Sequence, residues 1–165
     1  KISKLQMMRL IPQKRAFKSN ILTGLTIRRY ESFHSCPSFH KLETSAEQKL
    51  LQEHGIHILF KQADDGSIIL GDSHSYVPAH HQANFGFEIS TEINEMMLQE
   101  AKKIIHLENW YVDSSWAGYY LQGTKSEVFT KEIDEVIHIL NGIGGKGMTT
   151  SPGFTQEYIQ NIYQK

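Results

Sequence analysis

The sequence predicts an α+β protein: a mixed, largely antiparallel sheet with helices on one face. Three observations lead there. Ile56 to Lys61 and Ser67 to Leu70 flank Asp64-Asp65-Gly66, a strong hairpin signal. Ile93, Met96, Met97, Ala101, Ile104 and Ile105 recur at helical spacing, giving one apolar stripe for a sheet to cover. The order of the elements mixes hairpins with crossovers, and an alternating βαβ pattern is lacking.

Ile2 to Leu10 reads as the first strand, and Pro12 bars its continuation in a central position. Leu25 to Tyr30 alternates, so a strand there would put Leu25, Ile27 and Arg29 on one face and Thr26, Arg28 and Tyr30 on the other. A helix is expected from Ser38 as N-cap, through Phe39, Leu42, Ala46 and Leu50, to Gly55 as its stop. After the hairpin, Gly71 to Ser90 is rich in His, Pro and Gly, lacks a period, and reads as a long loop. The second helix is capped near Ser90 or Thr91, and its two methionines read as core filler. Trp110 to Leu121 is an aromatic strand interrupted by Gly118. Val128-Phe129 and Val136 to Leu140 are shorter strands, and Phe154, Tyr158 and Ile162 mark a final helix after Pro152.

Composition excludes several classes of function. With 39% hydrophobic and 21% charged residues the chain can build a core and is neither disordered nor fibrous. A net charge of −1 leaves no electrostatic footprint for nucleic acid or an anionic membrane surface. No apolar run approaches the roughly 20 residues that span a bilayer, and no secretory h-region follows the first residue. A single cysteine, Cys36, cannot form an internal disulfide and fits a reducing, cytoplasmic setting. The chain begins with Lys1 inside an apolar segment, which leads us to expect a longer polypeptide.

The densest signal lies between residues 142 and 153. Gly142, Gly144 and Gly147 satisfy G-x-G-x-x-G after an apolar run and before a helix. A Rossmann unit would need a second strand and, about 20 residues on, an acidic residue for the ribose. Neither fits before Lys165, so a loop built to meet a cofactor is expected, not the opening of a Rossmann fold. Backbone N–H groups of Met148, Thr149 and Thr150 would converge there with the positive end of a helix. A tight strand-to-helix turn without a ligand is the competing reading.

Other candidates are weaker. Nine histidines invite a metal site through His74, His80 and His81 or through His34 and His40. No pair stands at i and i+4 on a helix face, so surface or hydrogen-bonded histidines, and no metal, are expected. Asp72-Ser73-His74-Ser75 holds triad residue types, but adjacency in sequence is not triad geometry and no nucleophile elbow is present. Arg28 could clamp an anion bidentately, with a solvated surface Arg as the alternative. Trp116 and Tyr119-Tyr120 could line a pocket or simply pack.

Gly144-Gly145-Lys146-Gly147-Met148-Thr149-Thr150-Ser151-Pro152-Gly153 resembles the C-terminal flavin-contacting segment of the D-amino-acid oxidase and glycine oxidase superfamily of FAD-dependent amine and amino-acid oxidoreductases. Lys4 to Arg9, Gly24 to Phe33, Gly71-Asp72-Ser73-His74-Ser75-Tyr76 and Trp116-Ala117-Gly118-Tyr119, in this order, are similar to a clade associated with aminophosphonate breakdown. The resemblance spans nearly the whole chain. It implies that residues 1–127 are most of a substrate-binding domain and residues 128–165 the C-terminal segment of a FAD-binding domain. The N-terminal Rossmann half would be absent from this chain.

The same resemblance implies an enzyme that oxidises a small amine, amino acid or aminophosphonate to an imine by hydride transfer to flavin N5, with FAD held non-covalently and only together with the missing half. Gly144, Gly145, Lys146, Gly147, Met148 and Thr149 would contact the cofactor. Substrate would meet Trp116 and Tyr119. The carboxylate-clamping Arg that commonly follows Trp-x-Gly in that superfamily is replaced here by Tyr119 and Tyr120, so Arg28, with Tyr30 and His74, becomes the candidate for an anionic group. No catalytic side chain is assigned. Besides the small amine and the missing half, a second copy of the chain remains an open partner. The rival readings are a non-catalytic α+β module that binds an anion at the glycine loop, and an isolated fragment with no activity of its own.

Overall fold

A computed structural model of the chain describes residues 1–165 except 16, 31, 32, 127 and 165, and except the side chains of 82–84. The α+β class is borne out. Strands β1 (Ile2–Leu10), β2 (Ile21–Leu22), β3 (Leu59–Gln62), β4 (Ile68–Val77) and β5 (Val112–Leu121) form a five-stranded sheet in the order β2-β3-β4-β1-β5. β6 (Phe129–Ile133) and β7 (Ile137–Asn141) form a separate antiparallel hairpin. The helices are α1 (Gly24–Arg28), α2 (Ala46–Glu53), α3 (Thr91–Ile104) and α4 (Gly147–Tyr163). No helix is long and apolar enough to cross a membrane, among the described residues.

The chain divides into two compact units. The larger comprises Lys4–Ser75 and Gly86–Gly118; the smaller comprises Lys1–Ser3, Tyr76–Phe85 and Tyr119–Lys165.

The larger unit is built around one core. Met8, Leu10, Phe60, Ile68 and Leu70 from the strands meet Leu51 of α2 and Met97 and Ala101 of α3. Burying each large side chain contributes roughly 1.5–3 kcal/mol. The Asp64-Asp65-Gly66 turn joins β3 to β4, whose register sets Gln62 opposite Ile68 and Leu59 opposite Gly71. Asp65 accepts hydrogen bonds from the Ser67 side chain and backbone, which hold its carboxyl below the usual carboxylate range; Arg9 adds to this.

Ser90 caps α3, its hydroxyl accepting from the Ile93 N–H at 3.3 Å. Met97 of this helix is fully buried, the core role expected of it. α2 starts later than its apolar spacing predicts. Ser45 and Gln48 form a reciprocal capping box, so the helix begins at Ala46, and a 3-10 turn, Phe39–Lys41, stands where its first turns were expected. Its end matches the expectation. Gly55, at φ +61°, follows the C-cap, and the Gly55 and Ile56 N–H groups donate back to Gln52 and Leu51.

Two elements differ in kind from the sequence reading. Residues 25–30 alternate like a strand, yet Gly24–Arg28 is helical. Thr26 decides this: buried, it places its hydroxyl 3.3 Å from the Ile58 carbonyl and 3.2 Å from His57 Nδ1. Residues 71–77, expected in a loop, continue β4. Gly71, Asp72, Ser73 and His74 are all buried in a strand inside the sheet, so no in–out alternation marks them as a strand.

In the smaller unit, β7 leads through Gly142 (φ +76°) and Gly144 (φ +73°) into a 3-10 turn, Gly144–Lys146, and α4. The left-handed backbone at both positions favours glycine. α4 begins at Gly147 instead of after Pro152, which lies inside it. Pro152 cannot donate to the Met148 carbonyl, while the Thr150 hydroxyl donates to the Lys146 carbonyl at 3.0 Å.

Candidate functional site

The most concentrated chemistry lies in the larger unit, where β4 meets the segment before β3. His57 and Asp72 exchange both backbone hydrogen bonds, at 3.0 and 2.9 Å, and therefore stand directly opposite each other. The β3–β4 register, continued unbroken past Leu59 and Gly71, would have set His57 opposite Ser73. A one-residue step at Ile58 moves it to Asp72. His74, two residues beyond Asp72 on the same strand, completes the group.

The side chains are close and buried. His57 Nε2 lies 2.8 Å from Asp72 Oδ1, and His74 Nε2 lies 3.6 Å from Asp72 Oδ2. The imidazoles stack at 5.1 Å between centroids. Arg29, at the C-cap of α1, brings Nη1 to 2.6 Å from His57 Nε2 and 3.4 Å from His74 Nδ1. Burial pushes the His74 imidazole down to about 4, with Arg29 and His57 pushing the same way; the charge of Asp72 and a hydrogen bond to the Gly55 backbone oppose this. His74 is therefore neutral at neutral pH.

The hydrogen-bond pattern selects a tautomer for His57. The Thr26 hydroxyl donates to the Ile58 carbonyl and so accepts from the His57 Nδ1–H. His57 Nε2 then carries a lone pair, which accepts from Arg29. That lone pair also faces Asp72 Oδ1, which is buried and, among the described residues, has no hydrogen-bond partner despite the 2.8 Å approach. Two acceptors in contact need a positive group beside them, and Arg29 supplies it. Chemically, the cluster can hold a cation or hold and pass a proton.

Of the substrate and cofactor candidates taken from sequence, only His74 belongs to this cluster. Arg28 donates to the Leu42 and Glu43 carbonyls and, at 2.8 Å, to the Thr44 hydroxyl. It thereby ties α1 to the segment before α2. Tyr30 lies under the Arg29 guanidinium, 5.4 Å from it. Trp116 is exposed on β5 of the larger unit. Tyr119 lies in the smaller unit, its ring 6.2 Å from that of Phe85. Arg29 and His57 are not among the sequence candidates, and Asp72 enters only as a triad residue type. The strand assignment sent Arg29 to the face opposite Arg28, and the two histidines lie in different elements with no motif spacing.

The cofactor candidates 144–149 all sit at the turn into α4. Gly145 and Met148 are exposed, and the N-cap residue Lys146 makes no side-chain capping hydrogen bond. A Cβ on Gly145 would stand 3.4 Å from the Tyr120 hydroxyl, so the tyrosine closes over one side of this backbone. Comparison with family models, curated proteins and solved structures returned no match.

Proposed function

We propose that this chain is the C-terminal part of a FAD-dependent oxidoreductase that oxidises a small amine, amino acid or aminophosphonate to an imine. One observation carries the reading. The segment that resembles the flavin-contacting stretch of amine and amino-acid oxidoreductases folds as β7, a turn through two glycines of positive φ, and an uncapped helix start. Such a turn exposes bare backbone at Gly145, and Met148 and Thr149 lie in the first turn of α4, where N–H groups and the helix dipole favour negative charge. These features fit the pyrimidine edge of a flavin.

Bound FAD would accept hydride at N5, which leaves negative charge around its N1 and C2 carbonyl. The backbone at 144–149 would stabilise that charge, preorganised by the glycine turn and the helix behind it. Trp116 and Tyr119 are proposed to meet the substrate. Arg28, with Tyr30 and His74, is proposed to meet its anionic group, since its Nη2 already donates to acceptors at Glu43 and Thr44 that an oxyanion could replace. The phosphates and adenine of FAD would be held by a preceding half with its own Rossmann fingerprint, and cytoplasmic placement is part of the same proposal.

The test is to purify the complete protein, preceding segment included. Non-covalent flavin absorbance, bleached anaerobically by a small amine or aminophosphonate, is the expected result. A colourless protein that takes up no FAD sinks the reading. Binding of phosphate-bearing ligands by the chain alone, with no flavin requirement, would replace it with a non-catalytic anion-binding module.

A further inference from the structure

We propose that His57, Asp72 and His74 form a binding site for a divalent first-row transition-metal ion, with Arg29 standing in the place of the cation. This goes beyond the flavin reading and shares only His74 with it: all four residues lie in the larger unit, and none belongs to the glycine turn.

The donor set comes first. Two imidazoles and one carboxylate make the two-histidine, one-carboxylate set that suits Zn(II), Fe(II) or Co(II) and leaves positions open for other ligands. One ligand atom from each residue lies within 4.8 Å of the others. Metal–ligand bonds of about 2.0–2.2 Å place neighbouring donors roughly 3 Å apart. His57 Nε2 and Asp72 Oδ1 already stand at 2.8 Å; His74 Nε2 lies 3.6 Å from the other carboxylate oxygen, Oδ2, so its ring must move for the three to share one ion.

Protonation and orientation agree with the donor set. Asp72 Oδ1 is a buried acceptor without a hydrogen bond among the described residues, aimed at the lone pair of His57 Nε2. Hydrogen-bonded partners do not explain a contact of that kind, whereas two ligands of one cation do. Thr26 holds the other nitrogen of His57, the outer-shell bond that fixes a ligating imidazole. A hydrogen bond with the Gly55 backbone also holds the His74 ring.

Arg29 makes the site competitive. Its Nη1 approaches both imidazoles, so a metal ion and the guanidinium cannot share the space. Arg29 sits at the end of a short helix, and its side chain must swing out for the ion to enter. Removing its charge should therefore favour the metal.

The experiment titrates the chelator-treated intact protein with Co(II), reading the visible d–d bands and, by calorimetry, the stoichiometry. One ion per chain is expected, displaced by Zn(II). Arg29→Gln should tighten binding by at least roughly tenfold. Thr26→Val should weaken it by about 10–100-fold, the usual cost of losing an outer-shell partner. Asp72→Asn keeps the side-chain shape and should abolish binding; circular dichroism reports whether each variant folds. Should Asp72→Asn fail to fold, the opposed shifts of Arg29→Gln and Thr26→Val still decide the matter. Absence of binding in both the wild type and a folded Arg29→Gln overturns the proposal. So does Co(II) binding that neither Arg29→Gln nor Thr26→Val alters.

Discussion

The two units of this chain are stabilised in different ways. Every buried large hydrophobic residue lies in the larger unit, which closes strands and two helices around a single core. In the smaller unit, among the described residues, only Ser3 and Gly142 are buried. Its hairpin exposes Phe129, Ile137 and Ile139, and Val136 at the turn is 76% exposed. α4 has no buried residue, and Met148 is 98% exposed. The backbone makes up part of what the side chains do not. β6 and β7 pair from Phe129–Asn141 to Ile133–Ile137, and Lys1 and Gln122 exchange backbone hydrogen bonds. Such bonds contribute about 0.5–1.5 kcal/mol each against the roughly 1.5–3 of a buried large side chain. The lesson is that regular secondary structure does not make a unit self-sufficient: the larger has a hydrophobic reason to fold, and the smaller presents apolar surface that has not been taken from water.

The sharpest way to break that comparison is to delete volume in each unit. Phe60→Ala should cost about 3–5 kcal/mol, because a fully buried ring leaves a cavity the core cannot close. Val136→Ala should stay within about 0.5 kcal/mol, as exposed substitutions do. Urea unfolding of both variants provides the measurement. Equal losses would mean that Val136 is covered, and the smaller unit would have a core after all.

Acid should weaken the larger unit next. The His74 imidazole is held at about 4, below its ordinary 6.5, by burial first and then by Arg29 and His57, with Asp72 opposing. Between those values the unfolded chain binds a proton that the folded chain refuses, so stability falls as pH drops from about 6.5 towards 4. The contribution is on the order of 3 kcal/mol across that window. Denaturant midpoints at pH 7 and pH 5, taken in chelator, should differ for the wild type and much less for His74→Gln. An identical pH dependence in the two proteins would show that another group carries it.

What could be read in the sequence follows the same division of physical causes. β1, the Asp64-Asp65-Gly66 hairpin, α3 and its Ser90 cap, Gly55 and the late strands were legible because local period and turn chemistry decide them. α1 was not, because buried contacts of Thr26 override an alternating pattern. The second half of β4 was not, because a strand buried on both faces shows no alternation. The cluster was half-legible at best. His74 stood out, but only the register step at Ile58 brings His57 to Asp72, and a helix instead of a strand brings Arg29 to both. Cross-strand register is a tertiary quantity, and a single sequence does not carry it in any local motif.

Two glycines set the smallest expected effect and compare the units backbone to backbone. Gly55 and Gly144 share a left-handed conformation, at φ +61° and +73°. An alanine pays roughly 1–2 kcal/mol for that backbone in either place. Their surroundings differ. A Cβ on Gly55 would stand 2.4 Å from the His74 carbonyl oxygen, backbone against backbone in the packed unit. On Gly144 the nearest atom is 3.4 Å away, in the flexible side chain of Gln122. Gly55→Ala should therefore cost more than the conformational penalty and disturb His74, while Gly144→Ala should cost about that penalty alone. Paired unfolding curves, with the His74 imidazole followed by NMR, would show it. Equal costs with an unmoved His74 signal would mean that the packing at Gly55 yields as easily as the open turn, and the contrast between the two units would then stop at their side chains.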